Sequence, residues 1–153
     1  MPKRSAGILM YRIRAGLPAV LLAHPGGPLW ASKDEGIWTI PKGEIGEDED
    51  PLEAAKREFA EELGFIAVGS FHPIGSVKQK SGKVVEAWAV QGDWDPSQIR
   101  SNEFKLEWPP RSGKTQSFPE IDRAQFFTLA EARRKIIPSQ SAFLDALEEL
   151  LRE

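Results

Sequence analysis

Residues 43–65 constrain the fold of this chain more than any other segment. Asp50 is a good helix N-cap, Pro51 suits the first helical position, and Gly64 suits the position just beyond the last turn. Between these ends, apolar side chains recur at helical spacing and form one stripe: Leu52, Ala55, Phe59 and Leu63. The sequence therefore predicts a helix over Pro51–Leu63 that docks on the rest of the molecule through this stripe.

The same segment concentrates negative charge. Residues 43–64 contain nine acidic and two basic residues, whereas the rest of the chain has 18 basic and 14 acidic residues. Glu58, Glu61 and Glu62 occupy positions i, i+3 and i+4, so their side chains share one helix face. Like charges at this spacing cost a few tenths of a kcal/mol per pair. A divalent cation would offset this repulsion, and carboxylates without cysteine or histidine favour the hard ions Mg²⁺ and Mn²⁺. From spacing alone, an exposed acidic helix end that Arg57 partly neutralises is the alternative.

The spacing of particular residues in this segment resembles the signature of the Nudix hydrolases. The pattern consists of Gly43, five residues, Glu49, seven residues, and then Arg57 to Phe65, which reads REFAEELGF. Every fixed position of the signature matches. The resemblance implies an α/β Nudix fold, with a mixed sheet sandwiched between helices, in a single domain over residues 1–153.

The resemblance also implies roles for residues of the signature. The implied metal ligands are three carboxylates, which are also the catalytic groups, and the opening glycine's carbonyl: Glu58, Glu61, Glu62 and Gly43. Glu49 and Arg57 are expected to pair and to support the loop. A glutamate that metal does not saturate can act as a general base. Outside the signature, Glu120 is the better placed candidate base and Glu103 the other, with a surface role as the alternative.

Substrate contacts are predicted on either side of the signature. Trp38 to Gly43 reads WTIPKG and resembles an entry found in the diadenosine-polyphosphate and diphosphoinositol branches of the family, so Trp38 and Lys42 are predicted to contact substrate. Arg111 begins RSGKT, which ends like a P-loop but has Trp108 where the first glycine belongs. A cationic loop that touches phosphates is the functional interpretation of Arg111, and a solvated loop is the alternative.

These features predict a divalent-metal-dependent hydrolase that cleaves a phosphoanhydride bond in a nucleoside polyphosphate or nucleoside-diphosphate derivative. The WTIPKG run favours dinucleoside polyphosphates slightly. The alternatives are a nucleoside-triphosphate or nucleotide-sugar pyrophosphatase, a Nudix module that senses a nucleotide without turnover, and an acidic helix in a partner-binding domain.

Composition narrows the remaining classes. The chain has no cysteine and two histidines, which excludes disulfides, thiolate zinc sites and three-histidine metal sites. No apolar run approaches the ~20 residues that span a bilayer. We therefore expect a cytoplasmic protein with a small nucleotide as its partner, no membrane association and no dedicated nucleic-acid surface. The sequence leaves the oligomeric state open.

Periodicity and turn residues predict the other elements. Strands are expected at residues 6–13, 18–23, 37–40, 65–77, 83–91 and 123–128, and helices at residues 129–137 and 139–152. The proline-rich residues 93–119 are expected to form a long loop.

Overall fold

The computed structural model describes residues 3–152, which fold around a mixed sheet. The strands are β1 (Arg4–Arg14), β2 (Leu17–Pro25), β3 (Lys42–Glu44), β4 (His72–Lys78), β5 (Val84–Gln91), β6 (Glu103–Glu107), β7 (Thr115–Pro119) and β8 (Ile121–Thr128). The α-helices are α1 (Pro51–Leu63), α2 (Leu129–Lys135) and α3 (Ser141–Leu151). No helix within this range is both long and apolar enough to span a membrane.

The central sheet has the strand order β4-β5-β1-β2-β8, and β3 pairs with the beginning of β1. β1 runs parallel to β5 and antiparallel to β2 and β3. Consequently β3 lies at the same end of the sheet as the first residues of β1 and β5. β6 and β7 pair only with each other, as a hairpin outside the central sheet.

Helices cover both faces of this sheet, because successive side chains of each strand point to opposite faces. In β1, Ile8 and Met10 pack in the core under α1, whereas Leu9 and Tyr11 pack in the core under α3. The predicted mixed sheet between helices is therefore confirmed.

The predicted bounds of α1 are also confirmed. The Asp50 side chain accepts a hydrogen bond from the Glu53 backbone N–H at 3.1 Å, which caps the first turn. Gly64 follows the last turn with φ +86°, a left-handed conformation that favours glycine. Phe59 and Leu63 are fully buried, so the predicted apolar stripe holds α1 against the sheet.

Three other predicted elements are wrong. The segment 37–40 forms only isolated bridges, and the paired strand begins after Pro41, at β3. The strand predicted at 65–77 begins at His72. The predicted long loop at 93–119 contains the β6–β7 hairpin and a short 3₁₀ helix, Pro96–Gln98.

Candidate active site

Arg57 binds the acidic groups around the middle of α1. Its Nε and Nη2 donate to the two oxygens of Glu49 at 2.8 and 3.0 Å, and Nη1 donates to Glu58 at 2.8 Å and to Glu61 at 3.1 Å. The pair expected between Glu49 and Arg57 is therefore present, with bidentate geometry. These hydrogen bonds, together with one from the Gly46 N–H, lower the pKa of Glu49 to about 2.

Glu62 has the opposite electrostatic environment. Its pKa is raised to about 8, chiefly by burial of the carboxyl and also by the charges of Glu120 and Glu58. The Lys42 backbone N–H donates to Glu62 Oε1 at 3.2 Å and opposes that shift in part. Without a bound cation, Glu62 therefore holds a proton at neutral pH.

Gly43 brings the β3 backbone against the Glu58 carboxyl. A Cβ at position 43 would lie 1.9 Å from Glu58 Oε2, so a side chain there would displace the carboxyl. Burial also raises the pKa of Glu58, while Arg57 lowers it. The close approach of β3 to α1 thus depends on glycine at position 43.

Glu120 lies in the connection between β7 and β8 and faces the same group of carboxylates. Its N–H donates to the Asn102 carbonyl at 2.7 Å, and its carbonyl accepts from the Gly26 N–H at 2.8 Å. Its side chain is exposed, and its charge raises the pKa of both Glu58 and Glu62. Glu120 is therefore held by its backbone beside the site while its carboxyl stays in contact with solvent.

Lys42 is a basic residue whose charge acts on the buried carboxyl of Glu62. Burial and the like charge of Lys83 lower the pKa of Lys42, whereas Glu62 and Glu58 raise it. The sequence did not single out Lys83, which follows the β4–β5 turn and comes near Lys42 only through sheet pairing. The structure thus places a second lysine near Lys42.

Trp38 does not lie on the surface of this site. Its side chain is 1% exposed, its Nε1 donates to Asp34 at 2.8 Å, and its ring packs 4.9 Å from that of Phe127. The indole therefore belongs to the hydrophobic core beside the segment that leads into β3. This burial corrects the expected substrate contact of Trp38 and removes it from the residues that we propose contact substrate.

Arg111 lies at the far end of the β6–β7 hairpin. It is exposed, and its N–H donates to Glu107 at 2.9 Å. The hairpin base, where Glu103 pairs with Pro119, adjoins Glu120. Because β-strands rise ~3.3 Å per residue, the four steps from Glu103 to Glu107 put Arg111 more than about 13 Å from that base. A phosphate contact by Arg111 stays a prediction.

The donors at this site suit a hard divalent cation. They are carboxylate and carbonyl oxygens, the ligands that Mg²⁺ and Mn²⁺ prefer. As they stand, no three acidic or histidine side chains of residues 3–152 converge closely enough to hold a metal ion. The reason is visible at Glu58 and Glu61, whose oxygens point to Arg57. Metal binding by Glu58 and Glu61 would compete with these hydrogen bonds to Arg57.

Comparison with known proteins identifies the family of this chain. Residues 1–147 match the NUDIX domain family. The chain belongs to this family. An RNA pyrophosphohydrolase of Brucella anthropi is 29% identical over 156 aligned positions, which cover 85% of this chain and 83% of that protein. An RNA pyrophosphohydrolase of Gluconacetobacter diazotrophicus is 54% identical over 39 residues, which cover 26% of this chain and 21% of that protein.

A solved structure shares the fold. The C. elegans Ap4A hydrolase in a binary complex superposes with a TM-score of 0.68, at 22% identity and 98% coverage of both chains. Family membership and the names of the relatives support a Nudix pyrophosphohydrolase, an enzyme that hydrolyses pyrophosphate bonds.

Proposed function

We propose that this protein is a Mg²⁺- or Mn²⁺-dependent hydrolase that cleaves a phosphoanhydride bond in a nucleoside polyphosphate. The observation that carries the proposal is the buried carboxyl of Glu62, with Glu58 and Glu120 close enough to raise its pKa further. Crowded, desolvated carboxyls are unfavourable unless a proton or a cation compensates them, and perturbed pKa values cluster at functional sites. In a site that cleaves nucleotides, a bound divalent cation would provide this compensation.

The residues then take distinct roles. Glu58, Glu61, Glu62 and the Gly43 carbonyl would hold the cation, which when bound stabilises charge that develops on phosphoryl oxygens. Arg57 keeps Glu49 and the loop before α1 in place through its bidentate pair.

Glu120 is the proposed general base, because its exposed carboxyl adjoins the site and is not held by Arg57. It takes the proton of the attacking water as the new phosphorus–oxygen bond forms and the anhydride bond breaks. Lys42 neutralises charge on a substrate phosphate, and Arg111 contacts the more distant part of a long substrate from the hairpin.

Two substrate classes have specific support. The WTIPKG run favours a dinucleoside polyphosphate, since it resembles the entry of that branch of the family. The relatives named RNA pyrophosphohydrolase favour the second candidate, the 5′-triphosphate end of an RNA chain. Both substrates present the same chemistry to the carboxylates, an anhydride bond in a polyphosphate attached to a nucleoside.

A substrate panel tests this proposal. Diadenosine tetraphosphate, ATP, ADP-ribose and a short 5′-triphosphate RNA are incubated with Mg²⁺ or Mn²⁺ in ¹⁸O-labelled water, and products are identified by mass. We expect turnover of at least one polyphosphate, with the label on a product phosphate. Glu61→Gln should lower that turnover by roughly 100-fold or more, as loss of one preorganised electrostatic group does.

Glu53→Gln is the matched control, because Glu53 lies on α1 but is exposed in its first turn. It should keep wild-type turnover. Absence of turnover on the whole panel, or equal turnover in Glu61→Gln and wild type, would contradict the proposed enzyme. Nucleotide binding without turnover would instead favour the sensing module.

A further inference from the structure

A cavity of about 390 Å³ lies on the face of the sheet covered by α3. Its walls are the turn between β4 and β5 and the segment that precedes α3, with lining residues Gln79, Lys80, Ser81, Ile137, Pro138 and Ser139. We call this cavity the turn pocket. Small-molecule pockets in proteins typically measure about 300–1,000 Å³, so the turn pocket is large enough for part of a ligand.

The turn pocket lies at the same end of the sheet as the catalytic carboxylates. Gln140, next to the pocket wall, is fully buried, and its Oε1 accepts from the Ile40 N–H at 3.0 Å. Two residues after Ile40, the Lys42 N–H donates to Glu62 at 3.2 Å. One short stretch of backbone, residues 40–42, therefore contacts both Gln140, which adjoins the pocket wall, and the catalytic helix.

The lining of the turn pocket suits a neutral group with a polar edge. Ile137 and Pro138 supply apolar surface, while Gln79 and Ser81 supply neutral hydrogen-bonding groups from the opposite wall. The buried Ser139 Oγ in this wall has no hydrogen-bond partner among the residues that the structure describes. Buried hydroxyls normally have a partner, so this hydroxyl adds a polar group for a ligand to engage on local adjustment.

Lysines connect the turn pocket with the carboxylates. Lys80 lines the pocket, and Lys83 precedes β5, whose first residue Val84 pairs with Arg4 of β1, three residues before Gly7, the partner of Lys42. A phosphate group between Lys83 and Lys42 would relieve their repulsion. Lysines thus flank both the turn pocket and Glu62, which suits the phosphates of a nucleotide.

We propose that the turn pocket binds the uncharged base of the nucleotide, while its phosphates pass Lys83 and Lys42 to reach the carboxylates. This proposal rests on the proposed function, and it assigns the base of the substrate to the turn pocket. The base of a nucleotide is planar and apolar on its faces and forms hydrogen bonds at its edge, which matches the two kinds of pocket wall.

Binding of paired probes tests the proposal without requiring turnover. With Mg²⁺ present, calorimetry gives the Kd of the α,β-methylene analogues of ADP and GDP, and of methylenediphosphonate, which has the same bridge but no base. The wild-type protein should bind at least one nucleotide analogue about tenfold or more tightly than methylenediphosphonate. Ser139→Phe and Ser81→Trp, which fill the pocket from opposite walls, should abolish that preference and leave the Kd of methylenediphosphonate within about twofold.

Ser81 is exposed in the turn, so Ser81→Trp should leave the core packing intact. It therefore still tests the proposal if Ser139→Phe fails to fold. Ser70→Trp is the matched control at an exposed serine outside the pocket and should keep the wild-type preference. A wild-type protein without preference for the base, or a preference that survives in Ser81→Trp, overturns the proposal. If the pocket variants lose the preference for the base but the wild type hydrolyses none of the substrates in the panel, the pocket is supported and the proposed function is refuted. If the wild type hydrolyses a polyphosphate but shows no preference for the base, the proposed function is supported and the pocket is refuted.

Discussion

At the scale of single residues, environment rather than residue type decides what each glutamate of the site does. Glu49 accepts two hydrogen bonds from Arg57 and has a pKa of about 2, whereas burial gives Glu62 a pKa of about 8. The sequence predicts the pairing of Glu49 with Arg57 through the signature. It does not predict the burial of Glu62, because that depends on how closely β3 approaches α1.

The raised pKa of Glu62 makes stability depend on pH. Between the ordinary pKa of 4.5 and about 8, the folded protein keeps a proton that the unfolded chain has lost, so stability falls as pH rises through this window. Without metal, Glu62→Gln should therefore be more stable than the wild type by about 1–3 kcal/mol at pH 8.5. The two proteins should converge near pH 4.5.

Urea unfolding in EDTA at pH 4.5, 6.5 and 8.5 measures this difference. Glu53→Gln should follow the wild type within about 0.5 kcal/mol at every pH, because Glu53 is exposed on the same helix. A Glu62→Gln curve that stays parallel to the wild type from pH 4.5 to 8.5 would show that burial does not perturb this carboxyl.

At the scale of elements, the sequence predicts the bounds of an element correctly where capping residues stand at its ends. The bounds of α1 follow from Asp50, Pro51 and Gly64, all of which act within one turn of the helix. Apolar and polar residues also alternate along the β6–β7 hairpin, where Phe104 pairs with Phe118. The prolines around the hairpin nevertheless favour a loop when only the sequence is considered. Its strand pattern was therefore present in the sequence and was outweighed by the turn residues.

β3 could not be predicted in this way. Lys42, Gly43 and Glu44 form no apolar pattern, and their pairing with β1 depends on residues about 35 positions earlier in the chain. The segment at 37–40 resembled a strand more because it is short, largely apolar and followed by Pro41, and the structure buries Trp38 and Ile40. Their side chains do fill the core, but the backbone there has only isolated bridges.

Gly43→Ala tests the contact between β3 and α1. The new methyl group would meet Glu58 Oε2 at 1.9 Å, and because this is the end of a flexible side chain, the carboxyl can move away. We therefore expect turnover to fall roughly 100-fold, as when a preorganised group is lost, while stability falls by no more than about 1.5 kcal/mol. Kinetics on the best substrate and thermal unfolding measure the two effects separately.

Gly92→Ala is the control for this experiment. Its methyl group would meet the end of the Met10 side chain at 3.0 Å, away from the carboxylates, so turnover should stay near the wild-type value. Wild-type turnover in Gly43→Ala would mean that the position of Glu58 against β3 does not matter for the chemistry.

At the scale of the whole molecule, the site joins segments that are distant in sequence. The signature identifies the carboxylates on α1, but Glu120 and Gln140 reach the site through the β7–β8 connection and the segment before α3. The Gln140 contact with Ile40 spans 100 residues, and no local pattern predicts it. Sequence alone thus predicts the family and the metal-binding chemistry, whereas the substrate side of the site requires the folded sheet.

Metal binding couples this site to the stability of the whole fold. A ligand that binds only the folded state stabilises it by about 2.7 kcal/mol at 100 times its Kd, which in a protein of this size raises Tm by roughly 5–10 °C. Glu62 must lose its proton to bind a cation, so the Tm increase caused by Mn²⁺ should be larger at pH 8.5 than at pH 6.5. Calorimetric scans of the wild type and Glu53→Gln should show this increase, and Glu62→Gln should show a smaller one with little pH dependence. If Mn²⁺ leaves Tm unchanged at both pH values, the carboxylates of α1 are not a metal site, and Arg57, Lys42 and the proton on Glu62 balance their charge.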